Sequence, residues 1–130
     1  MKFIRPAQIT LIALFSAALV FHFLVLGNII PFEMVWGGRI QNREQLIGFE
    51  AISILTNLYF LFILCLNANI LKGKFSPLFI RIGLWIMFVL FLLNTIGNLL
   101  SLNSTEKWIM TPITAITALL SAVLLFSKKK

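Results

Sequence analysis

Four stretches of this chain are each long and apolar enough to cross a lipid bilayer as an α-helix. They cover roughly residues 7–30, 46–71, 78–100 and 108–126 of a 130-residue chain. A spanning helix needs roughly 20 apolar residues, so four spans and their turns use the whole length. Composition agrees, because 60% of the residues are hydrophobic and only 12% are charged. The sequence therefore predicts an all-α integral membrane protein, an antiparallel four-helix transmembrane bundle forming a single domain over residues 1–130.

The connections between the predicted spans differ in length. Residues 72–76 and 101–107 read as tight turns. The segment 31–45 is longer and amphipathic, since it mixes apolar side chains with Trp36, Arg39 and Arg43 around a Gly37-Gly38 bend. We therefore expect it to lie at the membrane interface or to fold back over the bundle as a lid loop.

The basic residues are distributed unevenly between the two sides of the predicted bundle. An even number of spans places both termini and the 72–76 turn on one side, and most of the 11 Lys and Arg residues lie there. They are Lys2, Arg5, Lys72, Lys74, Arg81, Lys128, Lys129 and Lys130. Loops rich in Lys and Arg stay in the cytoplasm. We therefore predict an inner (plasma) membrane protein with both termini cytoplasmic and the lid loop outside.

Charge and cysteine content exclude several classes of function. The net charge of +7 comes from residues that flank apolar runs, where they contact lipid headgroups, so we do not expect nucleic acid as a partner. A single Cys65 allows no intrachain disulfide and no cysteine-based metal site. The sequence shows no phosphate-binding loop, nucleophile elbow or set of metal ligands, and we predict no metal and no cofactor.

Polar side chains inside a membrane span are costly and usually face the bundle interior. Residues three, four or seven apart share one face of a helix, and their depth follows from the helical rise. By both measures one set converges in the outer half of the membrane. We predict these residues to line a ligand-binding pocket: His22, Glu50, Ser53, Asn57, Asn94 and Asn98.

Each of these side chains also has a purely structural interpretation. Glu50 could pair with Arg39 or Arg43 and hold the lid loop, or act as a carboxylate that binds a cation or transfers a proton. His22 could make an interhelical hydrogen bond or carry a proton. The asparagines could be interhelical hydrogen-bonding groups. The sequence does not decide between these alternatives.

Three short motifs carry a resemblance to known proteins. They are Trp36-Gly37-Gly38-Arg39, Phe49-Glu50 and Asn94-Thr95-Ile96-Gly97-Asn98. With these motifs the chain resembles a group of small bacterial four-helix membrane proteins that have no assigned activity. In layout alone it is similar to the EXPERA-type proteins that bind or isomerise sterols, and that resemblance implies a polar cavity in the outer half of the membrane.

Three hypotheses for the function follow. The first is a pocket that binds a small amphiphilic or polar ligand, alone or within a small transporter. The second is an enzyme that uses His22 and Glu50 as an acid and base on a lipid-soluble substrate. The third is a structural subunit, in which Gly83, Gly97 and Ala118 mediate assembly with membrane partners or with further copies of the chain.

Overall fold

The four predicted spans are α-helices in the computed structural model, which describes residues 3–127. The helices are α1 (Ile4–Leu26), α2 (Arg43–Asn67), α3 (Pro77–Leu99) and α4 (Ser104–Phe126). Two short 3-10 turns, Phe32–Met34 and Trp36–Gly38, lie between α1 and α2. Residues 3–127 contain no β-strand. The prediction of an all-α membrane bundle is confirmed.

Side-chain caps define the start of three helices. Asn42 Oδ1 accepts the Gln45 backbone N–H at 2.9 Å, and Ser76 Oγ accepts the Phe79 N–H at 3.1 Å. Asn103 Oδ1 accepts two N–H groups in the first turn of α4. These caps satisfy donors that a helix start leaves free. As a result α2 and α4 begin three and four residues before the predicted 46 and 108.

Backbone reversals end α1 and α2 earlier than the apolar pattern predicts. Asn28 and Asn69 have φ angles of 62° and 57°, in the left-handed region that asparagine tolerates better than most residues. After Asn28, the Ile30 N–H bonds back to the Leu24 carbonyl. The helices therefore end at Leu26 and Asn67, although the chain remains apolar to residues 30 and 71. The loop between α1 and α2 consequently runs from 27 to 42.

The helices form a ring in which each one packs against its neighbours in sequence and α4 returns to α1. Packing is most extensive between α3 and α4 and least extensive between α2 and α3. Consecutive helices run antiparallel, so the bundle has two distinct ends. We call the end with the 27–42 loop and the α3–α4 connection the loop end, and the end with the α2–α3 connection the turn end.

An aromatic layer forms the middle of the core. Phe15, Phe60 and Phe91 come from three different helices, with ring centroids 5.3 to 6.1 Å apart. Pairs at this separation gain energy beyond simple burial. At the loop end, a second apolar cluster contains Val25, Val35, Ile40 and Leu46. This second cluster fixes the 27–42 loop on the bundle.

The outer faces of the helices are strongly apolar. Ile52, Leu93 and Leu119 are each at least 60% exposed, on helices that are long and apolar enough to span a membrane. Side chains of this kind are stable against acyl chains and not against water. The chain is a multi-pass membrane protein that contacts lipid along all four helices.

The small residues of the assembly hypothesis have different surroundings. A Cβ on Gly83 would lie 2.6 Å from Ile63 Cδ1, and Ala118 is buried. Both are therefore used in packing within this chain. Gly97 alone has open space beside it.

Candidate functional site

A carboxylate is completely buried at the loop end of the bundle. Glu50 lies two turns into α2 and is 1% exposed. Its Oε2 is 2.7 Å from His22 Nδ1 on α1, and its Oε1 accepts the indole N–H of Trp36 at 2.9 Å. Three segments of the chain therefore meet at one side chain. We call Glu50, His22 and Trp36 the Glu50 cluster.

The contact with Glu50 determines which nitrogen of His22 remains available. With the carboxylate ionised, Nδ1 must carry the proton that it donates to Oε2. In the neutral ring the lone pair then lies on Nε2, for which no partner is found among the described residues. The His22 side chain is 17% exposed. A buried carboxylate thus orients an imidazole whose second nitrogen can exchange a proton or accept a hydrogen bond.

Trp36 closes the cluster from the loop and holds a strained backbone conformation. Its φ is 56°, in the left-handed region that a bulky residue rarely adopts. The ring packs 5.0 Å from that of Phe49 in addition to its bond to Glu50. Gly37 and Gly38 follow with φ angles of 64° and 70°. The side-chain contacts of Trp36 therefore maintain a backbone turn that is unfavourable by itself.

The two arginines that the sequence assigned to the lid loop do not pair with Glu50, and Arg43 is the first residue of α2. Arg43 Nη2 instead donates to the Leu26 carbonyl at 2.9 Å, which satisfies the exposed end of α1. Arg39 lies beside Gly37, its Nε 3.7 Å from the position that a Cβ would take there. Within residues 3–127, the one contact between a basic side chain and a carboxylate at ion-pair distance is that of His22 with Glu50. Of the alternatives left open for Glu50, pairing with Arg39 or Arg43 is not the one found, because the 3-10 turns bring Trp36 over the carboxylate instead.

A second carboxylate lies close to the same loop. Glu106, in the first turn of α4, accepts a hydrogen bond from Ser101 Oγ at 2.7 Å. Its Oε2 lies 3.2 Å from the position of a Cβ on Gly37. Glu106 was not predicted from the sequence to be a site residue. The glycine next to Trp36 was the available signal, because a glycine permits close approach of another group.

Two further predicted residues lie deeper on α2. Asn57 is 8% exposed, and its Nδ2 donates to the Ser53 carbonyl at 2.8 Å. Its Oδ1 is buried and has no hydrogen-bond partner among residues 3–127. Ser53 is partly buried, between Glu50 and Asn57 along the helix.

The two asparagines of α3 have different positions. Asn98 is partly buried and its Nδ2 lies 3.4 Å from Thr114 Oγ1 of α4. Thr95, one turn away, donates to the same Thr114 oxygen at 3.0 Å or to its own helix. Asn94 is exposed on the outside of the bundle. The structure thus brings His22 and Glu50 together, places Asn98 at the α3–α4 contact and leaves Asn94 apart.

A buried amide pair at the turn end was not expected from the sequence. Gln8 Nε2 on α1 donates to Asn67 Oδ1 on α2 at 2.7 Å, and both side chains are buried. Each lies seven residues from its own member of the aromatic layer, Phe15 and Phe60. That equal spacing was the available signal, since antiparallel neighbours place such residues at one depth. The aromatic layer therefore separates two polar regions.

Surface depressions occur away from the Glu50 cluster. One is an apolar groove along α3, lined by Trp85, Ile86, Val89, Leu90 and Leu93. Another lies at the turn end beside Lys72 and Phe75. No group of three or more His, Cys, Asp or Glu residues within 3–127 could hold a metal ion.

The site geometry defines a membrane bundle with a buried His–Glu pair at one end, beneath a tryptophan from a connecting loop. No protein family, curated protein or solved structure matches the chain. The resemblance to small bacterial four-helix membrane proteins stays a prediction from its motifs.

Proposed function

We propose that this protein binds a small polar or amphiphilic ligand at the loop end of the bundle, by itself or as part of a small transporter. In this proposal Glu50 and His22 recognise the ligand and Trp36 is the lid. Asn98 lies nearer the loop end, at the α3–α4 contact, and Asn57 lies deeper than Glu50 on α2. The observation that carries the proposal is the complete burial of the Glu50 carboxylate between His22 and Trp36.

The energetics favour a functional role for this carboxylate over a structural one. A charged side chain at the centre of a membrane span costs about 2.5 to 3.5 kcal/mol on insertion scales, and Glu50 is fully buried two turns into α2. An interhelical hydrogen bond inside a membrane returns only about 0.6 kcal/mol on average. Two bonds to Glu50 therefore do not offset the cost of placing it there. A ligand that binds the carboxylate supplies a reason for retaining it.

The conformation of Trp36 supports the assignment of the loop as a lid. Its left-handed backbone is held by the indole bond to Glu50 and by packing on Phe49. A ligand group that replaces the indole at Oε1 would release this strain. Ligand binding and lid opening are therefore coupled at one oxygen atom.

Thermal unfolding in detergent tests the proposal. Purified protein is screened against hexyl compounds that end in an amine, an alcohol, a carboxylate or an amide, at equal concentrations. We expect at least one of them to raise the melting temperature of the wild-type protein. The same compound should leave the melting temperature of the Glu50→Ala variant unchanged. Glu33→Ala is the control, because Glu33 is an exposed carboxylate in the 27–42 loop, and this variant should respond like the wild type.

Tryptophan fluorescence provides the second measurement. In a Trp85→Phe, Trp108→Phe background only Trp36 emits, and a bound ligand should shift its spectrum as the indole leaves Glu50. A panel that stabilises wild type and Glu50→Ala equally would contradict the proposal.

We place the loop end outside an inner (plasma) membrane, with both termini in the cytoplasm. The excess of Lys and Arg at the turn end and at the termini supports this orientation. Of those residues, Lys2 and Lys128–Lys130 lie outside the described residues. A fluorescent protein that folds only in the cytoplasm, fused after residue 130, should be bright. A fusion that is expressed at a normal level but is not fluorescent would indicate the opposite orientation.

One observation favours a second candidate, an acid–base enzyme acting on a lipid-soluble substrate. His22 and Glu50 are in direct contact at 2.7 Å, as proton transfer through a carboxylate-oriented imidazole requires. Here Nε2 of His22 would take and return the proton. Exchange of solvent deuterium into a lipid-soluble ketone such as a cyclohexenone would support it. No exchange above that of His22→Gln would contradict it.

A further inference from the structure

The face of α2 below Glu50 carries a buried acceptor that lacks a donor. Asn57 is 8% exposed, and its Oδ1 has no partner among the described residues. The other end of the amide is fixed, because Nδ2 donates to the Ser53 carbonyl at 2.8 Å. Exchanging the two amide atoms would set an oxygen against that carbonyl. The orphan atom is therefore an acceptor, and a buried acceptor without a donor is rare in native proteins.

The Glu50 carboxylate can also accept more hydrogen bonds than the two it makes. Its two oxygens each take one hydrogen bond, from His22 and Trp36, whereas an ionised carboxylate has about four lone-pair sites. No Lys or Arg within residues 3–127 makes an ion pair with it. The carboxylate therefore has free lone pairs and, when ionised, a charge with which to receive a cationic donor.

The two acceptors share one face of α2 and differ in depth. Glu50, Ser53 and Asn57 are spaced by three and four residues, so their side chains lie on the same side of the helix. Seven residues correspond to roughly 10 Å along the axis. The Ser53 hydroxyl lies between them. A ligand that uses both acceptors must be elongated and must carry two donor groups.

We propose that the site accepts a linear amino alcohol, with its ammonium group at Glu50 and its hydroxyl at Asn57. This rests on the proposed function, and it specifies the chemical class of the ligand. One positive charge suffices, because one carboxylate is available. The second donor is neutral, since a second charge buried beside an amide would lose its hydration without gaining a counter-ion. The methylene chain between them passes along the apolar interior.

Titration calorimetry of the full chain in detergent micelles tests the inference. The probes are aminohexanol, hexylamine and hexanediol, which share a chain length and differ in their ends. For the wild-type protein we expect aminohexanol to bind about tenfold more tightly than hexylamine, as one buried hydrogen bond to a neutral group allows. Hexanediol should bind more weakly than either amine.

Two variants separate the contributions of the acceptors. Glu50→Gln should abolish binding of both amines, whereas the exposed Glu44→Gln on the same helix should leave both unchanged. Asn57→Leu should lower the affinity for aminohexanol to that for hexylamine. The affinity for hexylamine itself should not change. Asn57→Ala gives the same comparison should the leucine variant fail to fold.

The outcomes distinguish this inference from the proposal beneath it. Equal affinities of aminohexanol and hexylamine for the wild type, or an undiminished preference in Asn57→Leu, overturn the amino alcohol. The proposed binding function is still supported in that case if another hexyl compound binds in a Glu50-dependent way. A complete lack of Glu50-dependent binding overturns both.

Discussion

Replacing both members of the His22–Glu50 pair should cost less stability than the two single replacements added together. His22→Leu leaves a carboxylate that is 1% exposed with Trp36 as its one remaining partner. Removing one partner of a buried ion pair typically costs about 3–5 kcal/mol. The bond from Trp36 remains, and His22 is itself partly exposed. We therefore expect a cost of about 3 kcal/mol, at the lower end of that range.

The opposite single change leaves donors without an acceptor. In Glu50→Leu both His22 Nδ1 and Trp36 Nε1 lose their partner, and each unsatisfied buried group costs about 1–3 kcal/mol. Both rings are partly exposed, so we expect about 2 kcal/mol in total. The double variant leaves Trp36 alone unsatisfied and should lose about 1 to 2 kcal/mol. The coupling energy between the two positions is then about 3 to 4 kcal/mol.

Unfolding by titration with SDS in mixed micelles measures the four free energies of this cycle. Leucine at both positions keeps the spans apolar, so insertion is not impaired. A cycle at Phe23 and Glu44, which are both exposed, is the control and should show no coupling.

The size of the coupling decides between two interpretations of the pair. An ordinary interhelical hydrogen bond in a membrane gives about 0.6 kcal/mol and at most about 1.7 kcal/mol. A value within that range would refute the argument that a buried charge is held here, because a neutral bonded pair would then explain the contact. Additive single changes would do the same.

Two glycines give further predictions. Gly37→Ala should lower stability by about 1–2 kcal/mol, because Gly37 has a φ of 64° and an added Cβ would lie 3.2 Å from Glu106 Oε2. A blue or red shift of the Trp36 emission checks that the lid is displaced. An unchanged spectrum at wild-type stability would contradict the prediction. Gly83→Ala should cost about 1–3 kcal/mol because its Cβ would overlap Ile63. The control is Gly97→Ala, because Gly97 has open space beside it. This change should raise stability by about 0.5–1 kcal/mol through helix propensity. Equal changes in stability for the two variants in SDS titration would refute the packing argument.

The positions of the helices follow from the sequence with errors of a few residues at their ends. Apolar length predicts a span, but caps and reversals decide where the helix stops. Leu71 is apolar and lies outside α2, because the Asn69 reversal returns its N–H to the Cys65 carbonyl. Hydrophobicity does not record this local geometry.

Part of the candidate site also follows from helical spacing. His22 and Glu50 are at comparable depth on neighbouring antiparallel helices, and they meet. Asn94 and Asn98 are one turn apart on α3, and only Asn98 reaches the contact with α4. A difference of four residues turns a side chain by about 40°, which is enough to move it from the interface to the lipid-facing surface.

The amino-acid sequence by itself determined that this chain spans a membrane four times, because the free energy of transferring side chains into hydrocarbon accumulates along each apolar run. It also determined that Glu50 would lie inside a span. Only the tertiary structure decided that its partners are His22 and Trp36, with the loop arginines elsewhere. That choice depends on the left-handed turn at Trp36 and on the distance between helices, which no pattern within a single helix contains.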